Sequence, residues 1–183
     1  LVRSTRMALH MAPEELVAAL NSFFAVVVDV VERHSGWVNK FEGDAALAVF
    51  GAPQSIPDHA GSALAAAREL SATMASADPR MAAGIGVSAG IAVAGNIGDP
   101  RRYEYTVVGD AVNEAARLAD HAKQFATRTL CSGAARSVAA TAERVRWTAA
   151  GQTTLRGRST ATDLFAPRPA KSPQPSPVAA STA

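Results

Sequence analysis

The sequence holds a single cysteine, Cys131, among its 183 residues. That excludes an internal disulfide framework and fits a reducing compartment. No apolar run is long enough to span a bilayer: the longest, FFAVVVDVV, is short, interrupted by Asp29 and helically patterned. No signal-peptide pattern is visible either. The 18 basic residues are scattered and the formal net charge is only +2, so nothing in the charge argues for a nucleic-acid partner. His10, His34, His59 and His121 lack metal-ligand spacing, and no Ser-His-Asp order suggests a nucleophile. An initiating methionine is also missing. The chain opens at Leu1 with LVRSTRMALHM, which carries no helix or strand signal of its own and reads as part of a longer protein. The missing membrane and targeting signals therefore describe this segment alone.

What is present is 48% hydrophobic residues, enough for one domain with a full core, expected over residues 1–167. From Pro13, the positions Leu16, Leu20, Phe23, Phe24, Val27, Val28 and Val31 fall on one helical face, and Gly36 ends the pattern. WVNKF and ALAVF read as two strands joined through Glu42, Gly43 and Asp44. A second helix is expected from about Asp58 to Ser76, with Leu64, Ala67, Leu70 and Met74 on one face. AAGIGVSAGIAVAGNIG reads as two strands around a turn near Ala89 and Gly90, its glycines suggesting close approach by a ligand or partner. YEYTVVG is a further strand. A third helix follows from Asp110 to about Lys123, then RTLCS, a short helix near Gly133 to Thr141, and closing strands at RVRWTA, TTLRG and TDLFAP. Residues 168–183 are rich in Pro, Ala and Ser and are expected to be a disordered tail. The alternation implies an α/β or α+β sandwich of one sheet with helices packed on it.

Two constellations could carry chemistry. Lys40 and Asp44 flank the hairpin turn. If Phe41 packs inward, alternation sends Lys40 to the opposite face, and Asp44 could offer carboxylate oxygen to a hard cation. On these residues alone a hairpin turn with a surface lysine is the simpler reading. The second is GDAVNEAARL, which follows a β-branched strand and opens a helix, a geometry that favours an anion. Asn113 and Arg117 share a face of that helix; one offers an amide, the other a guanidinium fork suited to phosphate. A solvated helix face explains them equally well. Arg156 in TLRGR sets a cation beside a glycine, as phosphate-facing loops do, although a surface arginine is the default. Cys131 sits in an apolar strand, as a buried, inert thiol would.

Taken together, WVNKFEGDAALAVFGAP, GIGVSAGIAVAGNIG and YEYTVVGDAVNEAARL resemble the class III nucleotidyl cyclase catalytic domain of the bacterial adenylate cyclase type, over Leu1 to Pro167. The resemblance implies a ferredoxin-like βαβ sandwich with one mainly antiparallel sheet. It implies conversion of ATP to 3′,5′-cyclic AMP and pyrophosphate with two Mg²⁺ or Mn²⁺ ions in a site shared by a homodimer. Asp44 then matches one metal-binding aspartate, Lys40 and Thr106 the pair that reads adenine, Asn113 the ribose-orienting residue, and Arg117 the residue that stabilises the transition state. Arg156 matches loosely a triphosphate-binding base. The family's other metal aspartate would sit immediately before Leu1, and with it the first, central strand; Arg3 stands where a glycine is usual. The implied setting is cytoplasmic, with any membrane attachment through regions outside this chain. The alternative is a cyclase-like module, without activity, that binds nucleotide or pairs with another subunit.

Overall fold

The computed structural model describes residues 1–2, 4–76 and 82–169. Arg3 and nearly all of the expected tail lie outside them. The long helix α2 spans Pro13–Arg33, with Pro13 in its first turn, Glu14 and Glu15 at its positive end and Arg33 at its negative end. It buries Phe23, Val27, Val30 and Val31. Before it lies a helix the sequence reading did not expect, α1 at Ser4–His10. Arg6, Met7, Ala8 and Leu9 are all good helix formers; seven residues are too few to show an apolar period, which is why the pattern stayed silent. The helix α3, His59–Ser76, buries Leu64, Ala67, Leu70 and Met74 as expected. Asp58 starts it, its carboxylate accepting from the Gly61 N–H at 2.9 Å.

The mixed α+β architecture is that expected, with the strands of the described residues in three hydrogen-bonded sheets. β1 (Trp37–Glu42) and β2 (Ala45–Val49) form an antiparallel hairpin. β3 (Ile85–Val87) does not pair with β4 (Val93–Asp99), despite their sharing one glycine-rich stretch. β4 instead pairs with β5 (Arg102–Val108). β3 joins β6 (Thr129–Ser132) in a sheet of order β3-β6-β8-β7, where β7 is Trp147–Thr153 and β8 is Thr162–Pro167. Leu1 and Val2 run between the β1–β2 turn and the segment leading into β3. The Leu1 nitrogen donates to the Asp44 carbonyl at 3.0 Å and the Val2 N–H to Ala82 at 2.7 Å.

The helix α4, Asp110–Ala122, lies across β3, and α5 (Gly133–Val138) and α6 (Thr141–Arg144) follow β6. The glycines of AAGIGV permit the α4 contact. A Cβ on Gly84 would stand 2.0 Å from the Ala119 carbonyl oxygen, and one on Gly86 2.2 Å from that of Ala115. Close approach was anticipated there, but for these two glycines the approaching group is the protein's own helix. The expected strand at TTLRG is corrected too: only Thr153 is in a strand. Leu155 to Arg158 form a turn instead, closed by the Arg158 N–H to the Leu155 carbonyl at 3.0 Å. Gly157 has a positive φ of 75°, as the third residue of a type II turn does.

Candidate active site

The corner between β1 and β5 is built by an irregularity. Val38 pairs with Ala48 but Lys40 with Leu47, so Asn39 is an extra residue in the ladder, a β-bulge. A bulge re-aims its side chain, and here the Asn39 amide crosses to β5. Its Nδ2 donates to the Tyr105 carbonyl at 2.9 Å, and its Oδ1 accepts from the Thr106 hydroxyl at 3.1 Å. Thr106 is 7% exposed. Lys40 follows the bulge, so plain alternation along WVNKF does not set its direction. Phe41 does not pack fully inward; it is half exposed, its ring 4.3 Å from that of Phe24. Lys40 Nζ lies 2.9 Å from Glu42 Oε1, and that hydrogen bond raises the lysine pKa above its ordinary value. Sequence reasoning brought Lys40 and Thr106 together only through the family resemblance, and it missed Asn39, which joins their strands.

Asp44 occupies the hairpin turn after Gly43, whose φ is 60°. Its Oδ2 lies 2.8 Å from the Leu1 nitrogen. The Ser4 hydroxyl also hydrogen-bonds the Asp44 carboxylate. An ionised carboxylate beside a turn carbonyl is a hard oxygen donor set of the kind Mg²⁺ or Mn²⁺ takes. It is one carboxylate. Among the described residues no three His, Cys, Asp or Glu side chains cluster to hold a metal.

The third group sits on α4. Gly109 precedes the helix in an extended conformation, close enough to Ile91 and Ala92 that a Cβ would stand 2.8 Å from the Ile91 carbonyl oxygen. Asp110 does not cap the helix with its side chain; it accepts from Arg158 Nη2 at 2.8 Å. Asn113 is exposed, and Arg117, one turn on, is half-buried. The Arg117 guanidinium lies against the Leu155–Arg158 turn: Nη2 is 3.4 Å from where a Gly157 Cβ would stand. Arg156, next in the turn, is exposed. The structure thus brings Arg117 and the Arg156 turn together, and links the strands of Lys40 and Thr106, while the Asp44 carboxylate bonds within its own corner. Cys131 is buried, and burial pushes its thiol up to about 12, as expected of an inert group.

Comparison with known proteins adds the following. A family profile described as "Adenylate and Guanylate cyclase catalytic domain" matches residues 1–166. Uncharacterised proteins of Mycobacterium tuberculosis and Mycobacterium bovis are 46% identical over 167 residues, 91% of this chain. The chain spans 31% of the length of these relatives. Among solved structures, the guanylyl cyclase Cya2 superposes with a TM-score of 0.74 at 26% identity, over 90% of this chain and 86% of that one. The adenylyl cyclase CyaB from P. aeruginosa gives 0.75 at 20% identity, over 93% and 90%. The second likeness speaks for the fold alone.

Proposed function

The chain belongs to the family of adenylate and guanylate cyclase catalytic domains, and on that premise we propose that it converts ATP to 3′,5′-cyclic AMP and pyrophosphate as a homodimer in the cytoplasm. Among its relatives both purines are in use, so the base must be argued from this chain's own residues. The observation that carries the choice is Lys40, one residue beyond the bulge that ties Asn39 to Thr106. An ammonium only donates, which suits the N1 acceptor of adenine. The Thr106 hydroxyl gives its proton to Asn39, so its lone pairs are left for the adenine amino group. Guanine carries hydrogen on both N1 and N2 and would set donor against donor; a carboxylate would suit it better. Lys40 must leave Glu42 to do this, but Glu42 is 64% exposed, and a solvent-screened pair of that kind holds only weakly.

The remaining roles follow from α4. The ribose 3′-hydroxyl gives up its proton to solvent as its oxygen attacks the α-phosphorus, the bond from that phosphorus to the bridging oxygen breaks, and pyrophosphate leaves with the electron pair. Asn113 offers an amide to orient the ribose. Arg117 holds a fixed positive charge where the phosphorus gains negative charge, a stabilisation that requires no proton transfer. Arg156, exposed at its turn, reaches for the triphosphate. Asp44 would hold one divalent cation, which when bound lowers the pKa of the attacking hydroxyl and neutralises the leaving group. Dimerisation is supported by the β4–β5 hairpin and the segment just before it, where Ile91, Val93, Tyr103 and Val108 are each more than half exposed. Apolar side chains so placed suit an interface.

The test is cyclic nucleotide production by the protein that contains this chain, with Mn²⁺ and either ATP or GTP. Cyclic AMP formation is expected, lost by roughly 100-fold or more in Asp44→Ala. Equal activity in parent and Asp44→Ala would remove Asp44 from the mechanism. A parent that prefers GTP would sink the reading of Lys40, and one that binds ATP without turnover would favour the non-enzymatic module.

A further inference from the structure

Arg158 carries none of the roles assigned above, yet it is the residue most firmly tied to α4. Its Nη1 donates to Glu114 Oε1 at 2.7 Å and its Nη2 to Asp110 Oδ2 at 2.8 Å. Glu114 is only 7% exposed. Its oxygens also accept from the hydroxyls of Thr162 at 3.1 Å and of Ser88. A carboxylate that deep is tolerated only with its charge matched and its lone pairs used. Arg158 supplies the charge and the two hydroxyls take up the rest. Asp110 and Glu114 are four apart and so face the same way on the helix, receiving both prongs of one guanidinium.

The consequence lies in the turn. Leu155, at its start, is 5% exposed and packs with Leu118 and Leu164. Arg158, at its end, is bonded to α4. Arg156 and Gly157 are therefore suspended between an apolar anchor and an ionic one. Against Gly157 lies the Arg117 guanidinium, for which no ion pair occurs among the described residues. The place of Arg117 is thus set by the turn it rests on, and the place of the turn by Arg158.

We propose that the Arg158–Glu114 pair is a positioning latch that fixes the Leu155–Arg158 turn on α4 and thereby holds Arg117 and Arg156 in place for the triphosphate. The proposal rests on the cyclase reading above. Neither latch residue touches substrate; both act through others. Cutting the latch should loosen the turn; Arg158→Gln also strands the buried Glu114 charge and lowers stability, whereas Glu114→Gln removes that charge and should leave the fold standing.

The experiment uses the full-length protein that carries this chain, with Arg158→Gln and Glu114→Gln made in the parent and in an Arg117→Ala background. Three quantities are read: kcat for cyclic AMP at saturating ATP, thermal midpoint, and amide hydrogen exchange across residues 154–161. Each single variant should lower kcat by about tenfold or more and speed exchange in that stretch. The kcat effect should shrink once Arg117 is already alanine, leaving only the part carried by Arg156, because coupled residues are not additive. An equal fold-loss in both backgrounds overturns the latch, as does a lowered thermal midpoint with kcat within about twofold of the parent. Unchanged exchange over residues 154–161 overturns it as well. If the parent makes no cyclic AMP, the functional reading fails while the exchange measurement still decides the latch. If Glu114→Gln does not fold, Arg158→Lys serves. It keeps the charge but not the two-pronged reach, so kcat should fall between parent and Arg158→Gln; no loss at all would sink the proposal.

Discussion

Replacing Gly86 with alanine should be among the most damaging single-methyl changes in this protein. The added Cβ would stand 2.2 Å from the Ala115 carbonyl oxygen, 2.4 Å from the Ala119 nitrogen and 2.8 Å from the Leu118 Cβ. The first two are backbone atoms of α4, so no flexible side chain can swing aside. Relief requires the helix to back away by roughly 1 Å to restore ordinary contact distances. Two effects oppose one another. Alanine restricts the unfolded chain and should stabilise by about 0.5–1 kcal/mol. Overpacking against an immovable backbone costs about 3 kcal/mol or more. Overpacking wins, for a net loss of roughly 2 kcal/mol in urea unfolding. The displaced helix carries Asn113 and Arg117, and a shift of about 1 Å at such groups can cost up to about 100-fold in rate. Gly95→Ala is the control for stability, since nothing lies within 4 Å of its added Cβ. A Gly86→Ala protein as stable as its parent would refute the claim that α4 is seated on bare backbone.

Three further outcomes can be measured independently. Cys131 is fully buried and burial pushes its thiol up to about 12, so a thiol reagent at pH 8 should label it only after unfolding; labelling at the rate of a free thiol would contradict this. Glu143 accepts two hydrogen bonds from the Arg68 guanidinium and one from the fully buried Trp147 indole, so Glu143→Ala should cost about 2–3 kcal/mol in urea unfolding, and a loss below about 0.5 kcal/mol would show the pair to be idle. Glu69 is held below its ordinary carboxylate pKa, first by the hydrogen bond from His34 and then by Arg33. A lowered folded pKa contributes stability that is complete above the ordinary value and fades as pH falls through the lowered one. Glu69→Gln should therefore cost a few tenths of a kcal/mol near pH 6 and nothing at pH 2, and a difference that grew on acidification would reverse the sign of the argument.

Where local rules govern, the sequence reading and the structure agree closely. Leu64, Ala67, Leu70 and Met74 fall on one helical face and all four are buried. The bounds of α4 follow from a β-branched strand, a glycine and an amphipathic run, and the helix begins at Asp110 as that pattern requires. The readings that failed depended on which distant backbone comes near. The glycines of AAGIGV announce a close approach, but no sequence rule says whether a ligand or the helix some 30 residues on will make it. Glu114 looks like one more charge on an exposed helix; only the arrival of Ser88, Arg158 and Thr162 shows it to be a buried hub. Its spacing from Asp110, four residues on the same face, was the one available signal.

The candidate site groups are placed by departures from regular structure, and that is why the elements were easier to read than the site. Lys40 belongs to a strand whose alternation is reset by the Asn39 bulge; a period of two, applied across it, cannot say where the lysine points. Arg156 belongs to what patterning takes for a strand, TTLRG, and its true setting depends on the positive φ of Gly157 and on Arg158 being drawn to α4. Bulge and turn each set aside the ladder pairing that a regular strand would make, and each is compensated by a side-chain contact to a neighbouring element: Asn39 to β5 and Arg158 to α4. Such a contact is a pairing between residues 44 to 67 positions apart. Helix and strand periods report only what recurs within a few residues. A bulge asparagine and a turn arginine therefore leave no periodic trace, even though the orientation of Thr106 and the seat of Arg117 depend on them.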